Sequence, residues 1–166
     1  MSFKKIEPKA IEGNVIAAFD NGWGLVTAGT PEHYNTMTIS WGQMGCLWNK
    51  PVCTVYVKPC RYTHSFLEEN GYFTVSFFPE QYRDALRLLG RKSGRDGDKI
   101  GESGLTVQPL EEGTVTFAEA EVTLVGRKIY RQDLDPAAMP PEVVQKYYTE
   151  EAPHTMFVGE VVRVIR

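Results

Sequence analysis

Cysteine is scarce in this chain and spaced unusually. Cys46, Cys53 and Cys60 lie at seven-residue intervals, and no C-x-x-C pair is present. The spacing therefore gives no support to a common structural zinc site or a dithiol redox motif. His64 follows Cys60 closely, so a metal site there is the alternative, but the favoured interpretation is three free thiols, buried or half-buried, with no metal.

Long apolar runs and an excess of positive charge are also missing. The first apolar run, at residues 15–19, is shorter than the apolar core of a secretory signal peptide. No stretch approaches the length of about 20 apolar residues that is needed to span a bilayer. The 18 Lys and Arg are outnumbered by 21 Asp and Glu, for a net charge of -3. Such a balance disfavours nucleic-acid and anionic-membrane partners. We expect a cytoplasmic protein.

The length of 166 residues indicates a single domain over residues 1–166. Alternating β-branched and aromatic residues predict strands, and apolar residues at helical spacing predict a few short helices. Strands are expected over NTMTISWG (35–42), VCTVYVKP (52–59), YFTVSFF (72–78), residues 114–130 and HTMFVGEVVRVIR (154–166), with two more over residues 13–29 joined by a turn at 20–22.

Helices are expected over residues 61–70, over 80–90 and after Pro140-Pro141, with a polar loop over 91–104. Because regular strand–helix alternation is absent after residue 104, the pattern favours a closed or nearly closed antiparallel barrel over a doubly wound sheet.

The segment NTMTISWGQMGCLWNKP, residues 35–51, is polar without acids. In an extended chain Thr36, Thr38 and Ser40 face one side, and Met37, Ile39 and Trp41 face the other. A half-buried strand ordinarily carries charge on its wet face, so this uncharged hydroxyl face is a candidate ligand surface. The alternative for Trp41 and Trp48 is that both are core aromatics.

Two basic segments suit a phosphate. Residues 58–63, KPCRYT, join a strand to a helix start, where free amide hydrogens, the fork of Arg61 and the hydroxyl of Thr63 can bind an anion. The alternative is that Thr63 only caps the helix. Residues 91–95, RKSGR, form a second basic turn with glycine, for which a solvated charge run is the alternative.

Five motifs in order resemble one family. They are N-x-M-T-x-x-W-G at 35–42, W-x-K-P at 48–51, V-x-P-x-R-Y-T at 57–63, S-G-R-D-x-D-K at 93–99 and H-x-x-F-x-G-E-V at 154–161. Together they resemble the flavin reductase-like, FMN-binding split-barrel proteins, and the flavoredoxin-type branch in particular. The resemblance implies a mainly β, six-stranded antiparallel Greek-key barrel with a few short helices, a homodimer, and non-covalent FMN near the dimer interface.

The same resemblance implies the cofactor-binding residues. It gives Asn35, Trp41, Thr63, Lys99 and His154 as flavin neighbours, Thr36, Met37, Thr38 and Ser40 along the ring or ribityl chain, and Arg61, Tyr62, Lys92 and Ser93 around the phosphate. Lys99 would place charge near the flavin N1–C2=O region and raise the reduction potential. Its alternative is a surface pair with Asp96 or Asp98, and that of His154 is a bond to a backbone carbonyl. Glu160 is expected in a structural pair or dimer contact.

The implied function is an NAD(P)H-dependent flavin reductase. NADH or NADPH would reduce FMN, which would pass electrons to free flavin, a partner oxygenase or another redox protein. No side chain is required as a nucleophile, and His154 is the one candidate catalytic residue. The alternative is a non-catalytic FMN electron carrier reduced by a protein partner. A third hypothesis keeps the fold but assigns it another planar ligand. The cysteine that many relatives carry near residues 118–122 is missing.

Overall fold

The computed structural model describes residues 4–166, so residues 1–3 of the predicted domain lie outside it. Within that range the strands are short except near the C-terminus: β1 Lys5–Ile6, β2 Gly24–Thr30, β3 His33–Ile39, β4 Gly42–Leu47, β5 Lys50–Val57, β6 Tyr72–Phe77, β7 Val107–Pro109, β8 Val115–Phe117, β9 Val122–Asp133 and β10 Thr155–Ile165. The α-helices are α1 Val15–Ala17, α2 Tyr62–Glu69, α3 Arg83–Arg91, α4 Lys99–Ser103 and α5 Pro141–Tyr147. None of the described helices is long and apolar enough to cross a membrane.

The main sheet is antiparallel and runs in the order β3-β2-β6-β9-β10-β5-β4, with β1 added beside β10. β3 and β4 lie at opposite ends of this order, yet only Ser40 and Trp41 connect them. Since that connection spans at most about 11 Å, the two sheet edges must meet at this corner. The sheet is therefore rolled into a barrel that is split between β3 and β4, as the sequence predicts.

Two apolar clusters hold the barrel together. The larger, which includes Phe73 and Phe157, contains buried residues from most strands of the main sheet. The smaller joins Leu25 of β2 to Leu86 of α3 and Phe117 of β8. The smaller cluster fixes α3 against the sheet, and the hydroxyl of Thr38 donates to the Leu86 carbonyl at 2.5 Å. The loop that follows α3 is thereby placed beside β3.

The structure has eight strands in the main sheet, against the six expected. The added strands are the two-residue β1 and the glycine-containing β4, which lacks β-branched residues and gives little local signal. The strand expected over residues 114–130 is two strands, because the chain turns after Phe117 and Glu119 accepts hydrogen bonds from the Thr106 amide at 3.0 and 3.1 Å.

Two strands are expected over residues 13–29, and the first of them is wrong. Residues 15–22 form α1 and a π-helical turn, and only β2 is extended. The Asn14 side chain caps this helical segment by accepting from the Ala17 amide at 3.1 Å. Val15 and Phe19 pack into the larger apolar cluster while Ile16 and Asp20 are exposed, and the residues of each pair are four positions apart, which is helical and not alternating burial. Likewise, α4 interrupts the loop expected over 91–104, with Asp98 as its cap.

Candidate functional site

A groove runs along β3, and we call it the β3 groove. It consists of two adjoining cavities of about 340 and 180 Å³ that share Met37, Cys60 and Arg61. The larger cavity, the aromatic end, is lined further by Thr38, Ile39, Ser40, Trp41, Tyr56, Lys58, Glu151 and His154. The smaller cavity, the basic end, is lined further by Asn35, Tyr62, Thr63, Arg91, Lys92, Ser93, Gly94, Arg95 and Lys99.

The basic end gathers five cationic side chains and no carboxylate among its lining residues. Arg61 stands at the N-cap of α2 and donates to the Gly90 carbonyl at 2.8 Å, which ties α2 to the end of α3. Arg95 lies over the Tyr62 ring at 4.7 Å and donates to the Cys60 carbonyl at 3.3 Å. This charge, next to the first turn of α2, suits a phosphate.

Lys99 is buried at 2% exposure and holds the C-terminal end of α3. Its Nζ donates to the carbonyls of Leu89 and Lys92 at 3.0 and 2.9 Å. Burial, assisted by the charge of Arg61, lowers the pKa of Lys99 to about 8. The alternative of a surface pair with Asp96 or Asp98 is wrong, because Lys99 is buried and its Nζ donates to backbone carbonyls. An ammonium has three N–H groups, so one remains for a ligand in the basic end.

Asn35 and Gly94 close the floor of the basic end. The Asn35 amide donates to the Thr63 hydroxyl at 2.8 Å, and both side chains are buried. Thr63 is therefore not the helix cap, a position that Arg61 takes without a side-chain bond. A Cβ on Gly94 would lie 2.3 Å from the Asn35 Oδ1 and 3.0 Å from the Tyr62 ring. Only glycine lets the loop after α3 approach β3 this closely.

The aromatic end combines exposed rings with a neutral imidazole. Trp41 is 45% exposed and lies 5.0 Å from His154 and 5.4 Å from Tyr147, measured between ring centroids. The Nδ1 of His154 shares a hydrogen bond of 2.9 Å with the Tyr148 hydroxyl, not a backbone carbonyl. Burial first, and the charge of Lys58 next, lower the pKa of His154 to about 4, so the ring is uncharged near neutral pH.

Lys58 ties the segment after α5 to the groove. Its ammonium pairs with the Glu151 carboxylate and donates to the Tyr147 carbonyl at 3.4 Å. The pairing with Lys58 lowers the pKa of Glu151. Glu151 is the one acid among the residues that line the aromatic end.

Comparison with known proteins decides the family. The sequence model described as "Flavin reductase like domain" matches residues 16–166. The chain belongs to the flavin reductase-like family. This confirms the family resemblance and the split-barrel fold class, and makes the chain a flavin-binding protein of the oxidoreductase class.

Solved structures agree with this fold. Flavoredoxin from Methanosarcina acetivorans is 24% identical, with a TM-score of 0.69 over 86% of this chain and 67% of that chain. An FMN-binding domain of a flavin reductase-like enzyme from Shewanella baltica is 18% identical, with a TM-score of 0.70 over 99% and 76%. The NADH:FAD oxidoreductase of Streptomyces globisporus is 20% identical, with a TM-score of 0.67 over 87% and 74%. A comparison with curated proteins found no match.

In this flavin reductase-like chain, the groove brings together all the predicted cofactor-binding residues except Thr36. Thr36 is fully buried, and its hydroxyl bonds to the Thr27 hydroxyl at 2.8 Å and donates to the Val26 carbonyl at 3.1 Å. The structure therefore assigns it to the packing between β2 and β3. The core alternative for Trp41 and Trp48 is wrong, since both are exposed.

Sequence reasoning did not single out Tyr56 or Glu151 as groove residues, whereas Cys60, Arg91 and Arg95 lie in the two basic segments predicted to suit a phosphate. A signal for Tyr56 exists, because it lies on β5 two positions before Lys58, which directly follows that strand, and alternation places the two side chains on one face. Glu151 gives none, since its partner Lys58 is 93 positions away. The thiols were expected to be buried or half-buried, but only Cys53 is buried. Glu160 forms the expected pair, with Lys50 at 3.0 Å and Arg127 at 2.6 Å.

Proposed function

We propose that the β3 groove binds FMN, with the phosphate in the basic end and the isoalloxazine ring in the aromatic end. The observation that carries the proposal is the polarity of the groove: five cations and no carboxylate line one cavity, whereas three uncharged rings line the adjoining one, where an acid offsets one of its two cations. A flat ring joined to a phosphate has the same polarity. Charge-assisted bonds from Arg61 and Lys92, and the Ser93 hydroxyl, would hold the phosphate.

The ring would lie along β3 beside Met37, Ser40 and Trp41. Trp41 offers an aromatic contact for the apolar part of the ring, and backbone and hydroxyl groups of β3 suit its polar edge. Lys99 lines only the basic end, so in this arrangement its third N–H would point toward the phosphate, whereas the family resemblance implies a position near the N1–C2=O region of the ring. FMN supplies reversible electron transfer, and the side chains bind it, orient it and exclude water.

The activity we propose is that of an NAD(P)H-dependent flavin reductase, with free flavin, an oxygenase or a redox protein as acceptor. The exposed aromatic end supports it, because a nicotinamide ring can approach there. The Streptomyces globisporus oxidoreductase supports it at the level of fold. Homodimer formation and a cytoplasmic location are further proposals from the family resemblance.

The second candidate is an FMN electron carrier, favoured by the structural similarity to flavoredoxin. Anaerobic mixing of the FMN-loaded protein with NADH or NADPH, followed by flavin absorbance, separates the two. Bleaching by either nucleotide supports the reductase. Bleaching only by a reduced iron–sulfur protein supports the carrier. A protein that takes up no FMN would leave only the hypothesis of another planar ligand.

FMN titration of Arg61 variants tests the binding site directly. We expect Arg61→Ala to weaken FMN by on the order of 1.5–3 kcal/mol, or about 10- to 150-fold. Arg61→Lys keeps the charge but lacks the planar guanidinium. Its FMN affinity should therefore lie between those of the parent protein and Arg61→Ala. The matched control is Arg166→Ala, beyond the far end of β10 from His154. Unchanged affinity in Arg61→Ala would contradict phosphate binding at the basic end.

A further inference from the structure

A further cavity of about 540 Å³ adjoins the aromatic end of the β3 groove. Its own lining comprises Ile16, Phe19, Asp20, Gln43, Leu134 and Tyr148, and we call it the Asp20 cavity. It lies between the helical segment before β2, the start of β4 and the segment that follows β9. Its volume is within the range of small-molecule sites.

The Asp20 cavity and the aromatic end of the β3 groove share one wall. Ser40, Trp41, Tyr56 and His154 line both the Asp20 cavity and the aromatic end. Trp41 and His154 are in ring contact at 5.0 Å, so together they form a thin aromatic partition. A molecule in the Asp20 cavity would therefore lie next to whatever occupies the groove.

The charge of the Asp20 cavity is opposite to that of the groove. Among the described residues that line it, Asp20 is the one carboxylate, and none is a lysine or arginine. His154 adds no positive charge near neutral pH, since burial and Lys58 lower its pKa to about 4. A phosphate or carboxylate would meet repulsion from Asp20 with no compensating cation. The cavity thus selects against anions, including the phosphates of a nucleotide.

The remaining lining suits a flat, uncharged molecule. Phe19, Trp41 and Tyr148 provide aromatic surface, and Ile16, which is 79% exposed, adds an apolar rim. Gln43 and the hydroxyls of Ser40 and Tyr56 can each donate one hydrogen bond to a carbonyl oxygen. Stacking surface with a few polar groups is the usual composition of a site for an aromatic ligand.

We propose that the Asp20 cavity binds a neutral, planar aromatic molecule that carries a carbonyl group, beside the ligand of the β3 groove. Binding there follows from shape and charge alone. Its use as a second substrate of flavin chemistry rests on the proposed function.

Calorimetric titration with two matched probes tests the proposal. The probes are 2-acetonaphthone, a neutral ketone, and 2-naphthoate, which has the same ring system with a carboxylate. Both are titrated into the protein with and without saturating FMN. We expect one ketone site per chain in both forms, and naphthoate binding weaker by about fivefold or more.

Three variants assign the site. Asp20→Lys should tighten naphthoate by about fivefold and change the ketone affinity by less than about twofold. Glu69→Lys, the same charge change at an exposed acid that lines neither cavity, should change neither. Gln43→Trp, at an exposed position of β4, should fill the cavity and abolish binding of both probes.

The outcomes separate this proposal from the FMN proposal. The proposal for the Asp20 cavity would be overturned if Asp20→Lys left the ratio of the naphthoate and ketone affinities unchanged. Displacement of the ketone by FMN would also overturn it. The proposal would also be overturned if a second copy of the chain covered the cavity. In that case the ketone would bind only after dilution of the protein to monomer. If FMN does not bind at all, the proposed function fails, yet the probe ratio still decides whether the Asp20 cavity is a site.

Discussion

Lys99 shows how one buried side chain can serve both the fold and the ligand site. Its ammonium satisfies two carbonyls at the end of α3, which would otherwise be buried without a donor. We predict that Lys99→Met lowers the free energy of unfolding by about 1–3 kcal/mol, measured by urea denaturation. Lys9→Met, at an exposed position, is the control and should be neutral. Equal stability of Lys99→Met and the parent protein would show that water replaces the lysine.

His154 should make stability depend on pH. Its pKa falls from the ordinary 6.5 to about 4 on folding, so the unfolded chain binds more protons between these values. The contribution is fully present above pH 6.5 and is lost as the pH falls toward 4. After allowance for partial solvent exposure, we expect the parent protein to lose about 1–2 kcal/mol more than His154→Gln between about pH 7 and about pH 4.5.

Urea denaturation at the two pH values gives the difference directly. His64 also has a lowered pKa, mainly from burial, and therefore contributes a slope of the same sign. Because His64 is present in both proteins, the comparison with His154→Gln removes its effect. Parallel stability curves for the two proteins would mean that His154 is well solvated and that the aromatic end is wetter than the geometry indicates.

The segment from α5 to β10 is held over the aromatic end by few contacts. Lys58 binds Glu151 and the Tyr147 carbonyl, and Tyr148 binds His154. We predict that Glu151→Gln raises amide hydrogen exchange over residues 147–153 by up to about fivefold, since a partly exposed ion pair contributes at most about 1 kcal/mol. Exchange in α2 should not change.

Glu142→Gln on α5 provides the control for that exchange experiment. Glu142 is exposed, and its substitution removes the same charge without touching Lys58. Exchange that rises equally in both variants would indicate a general charge effect. Unaltered exchange in Glu151→Gln would show that the Lys58–Glu151 pair is not needed to hold the segment, and that its remaining contacts suffice.

The elements differ in how well the sequence predicts them. α2, β5, β6 and β10 carry strong local periodicity, and each forms near its predicted position. β4 has little strand propensity of its own and forms because it pairs with β5 from Gly42–Val55 to Leu47–Lys50. The long predicted strand divides because Glu119 binds a distant amide, which no local pattern encodes.

The groove residues also differ in how well the sequence predicts them. Arg61, Tyr62 and Ser93 could be predicted as neighbours because their motifs have a recognisable order along the chain. The position of Thr36 could not, because alternation gives the two faces of β3 without saying that the Thr36 hydroxyl bonds to its cross-strand partner Thr27 on β2. The Lys58–Glu151 contact depends on the full fold, so sequence separation hides it.

At the scale of the whole molecule, an apolar surface is left uncovered by the other residues that the structure describes. A depression of about 560 Å³ on the β4, β5, β9 and β10 face is lined by Met44, Trp48, Tyr130, Met156 and other mainly apolar residues. Trp48 and Tyr130 are 62% and 40% exposed, with ring centroids 6.4 Å apart. Exposed apolar patches of this kind often mark protein interfaces.

The turn that presents Trp48 is unusual for such a side chain. Trp48 and Asn49 have φ values of 51° and 58°, as in a type I′ hairpin turn. Asparagine tolerates the left-handed region, whereas a bulky residue there costs free energy. A tryptophan in this costly conformation indicates a use for the exposed indole, and the family resemblance suggests a homodimer.

We predict that the protein sediments as a dimer at micromolar concentration and that Trp48→Asn shifts it toward monomer. Asparagine suits the left-handed turn, so the hairpin should keep its fold, and a loss of dimer would report the missing indole and not a damaged turn. Ile16→Asn removes an exposed apolar side chain elsewhere and should leave the dimer intact. A parent protein that is monomeric at all concentrations, or a Trp48→Asn variant that dimerises as tightly as the parent, would exclude this face as the interface.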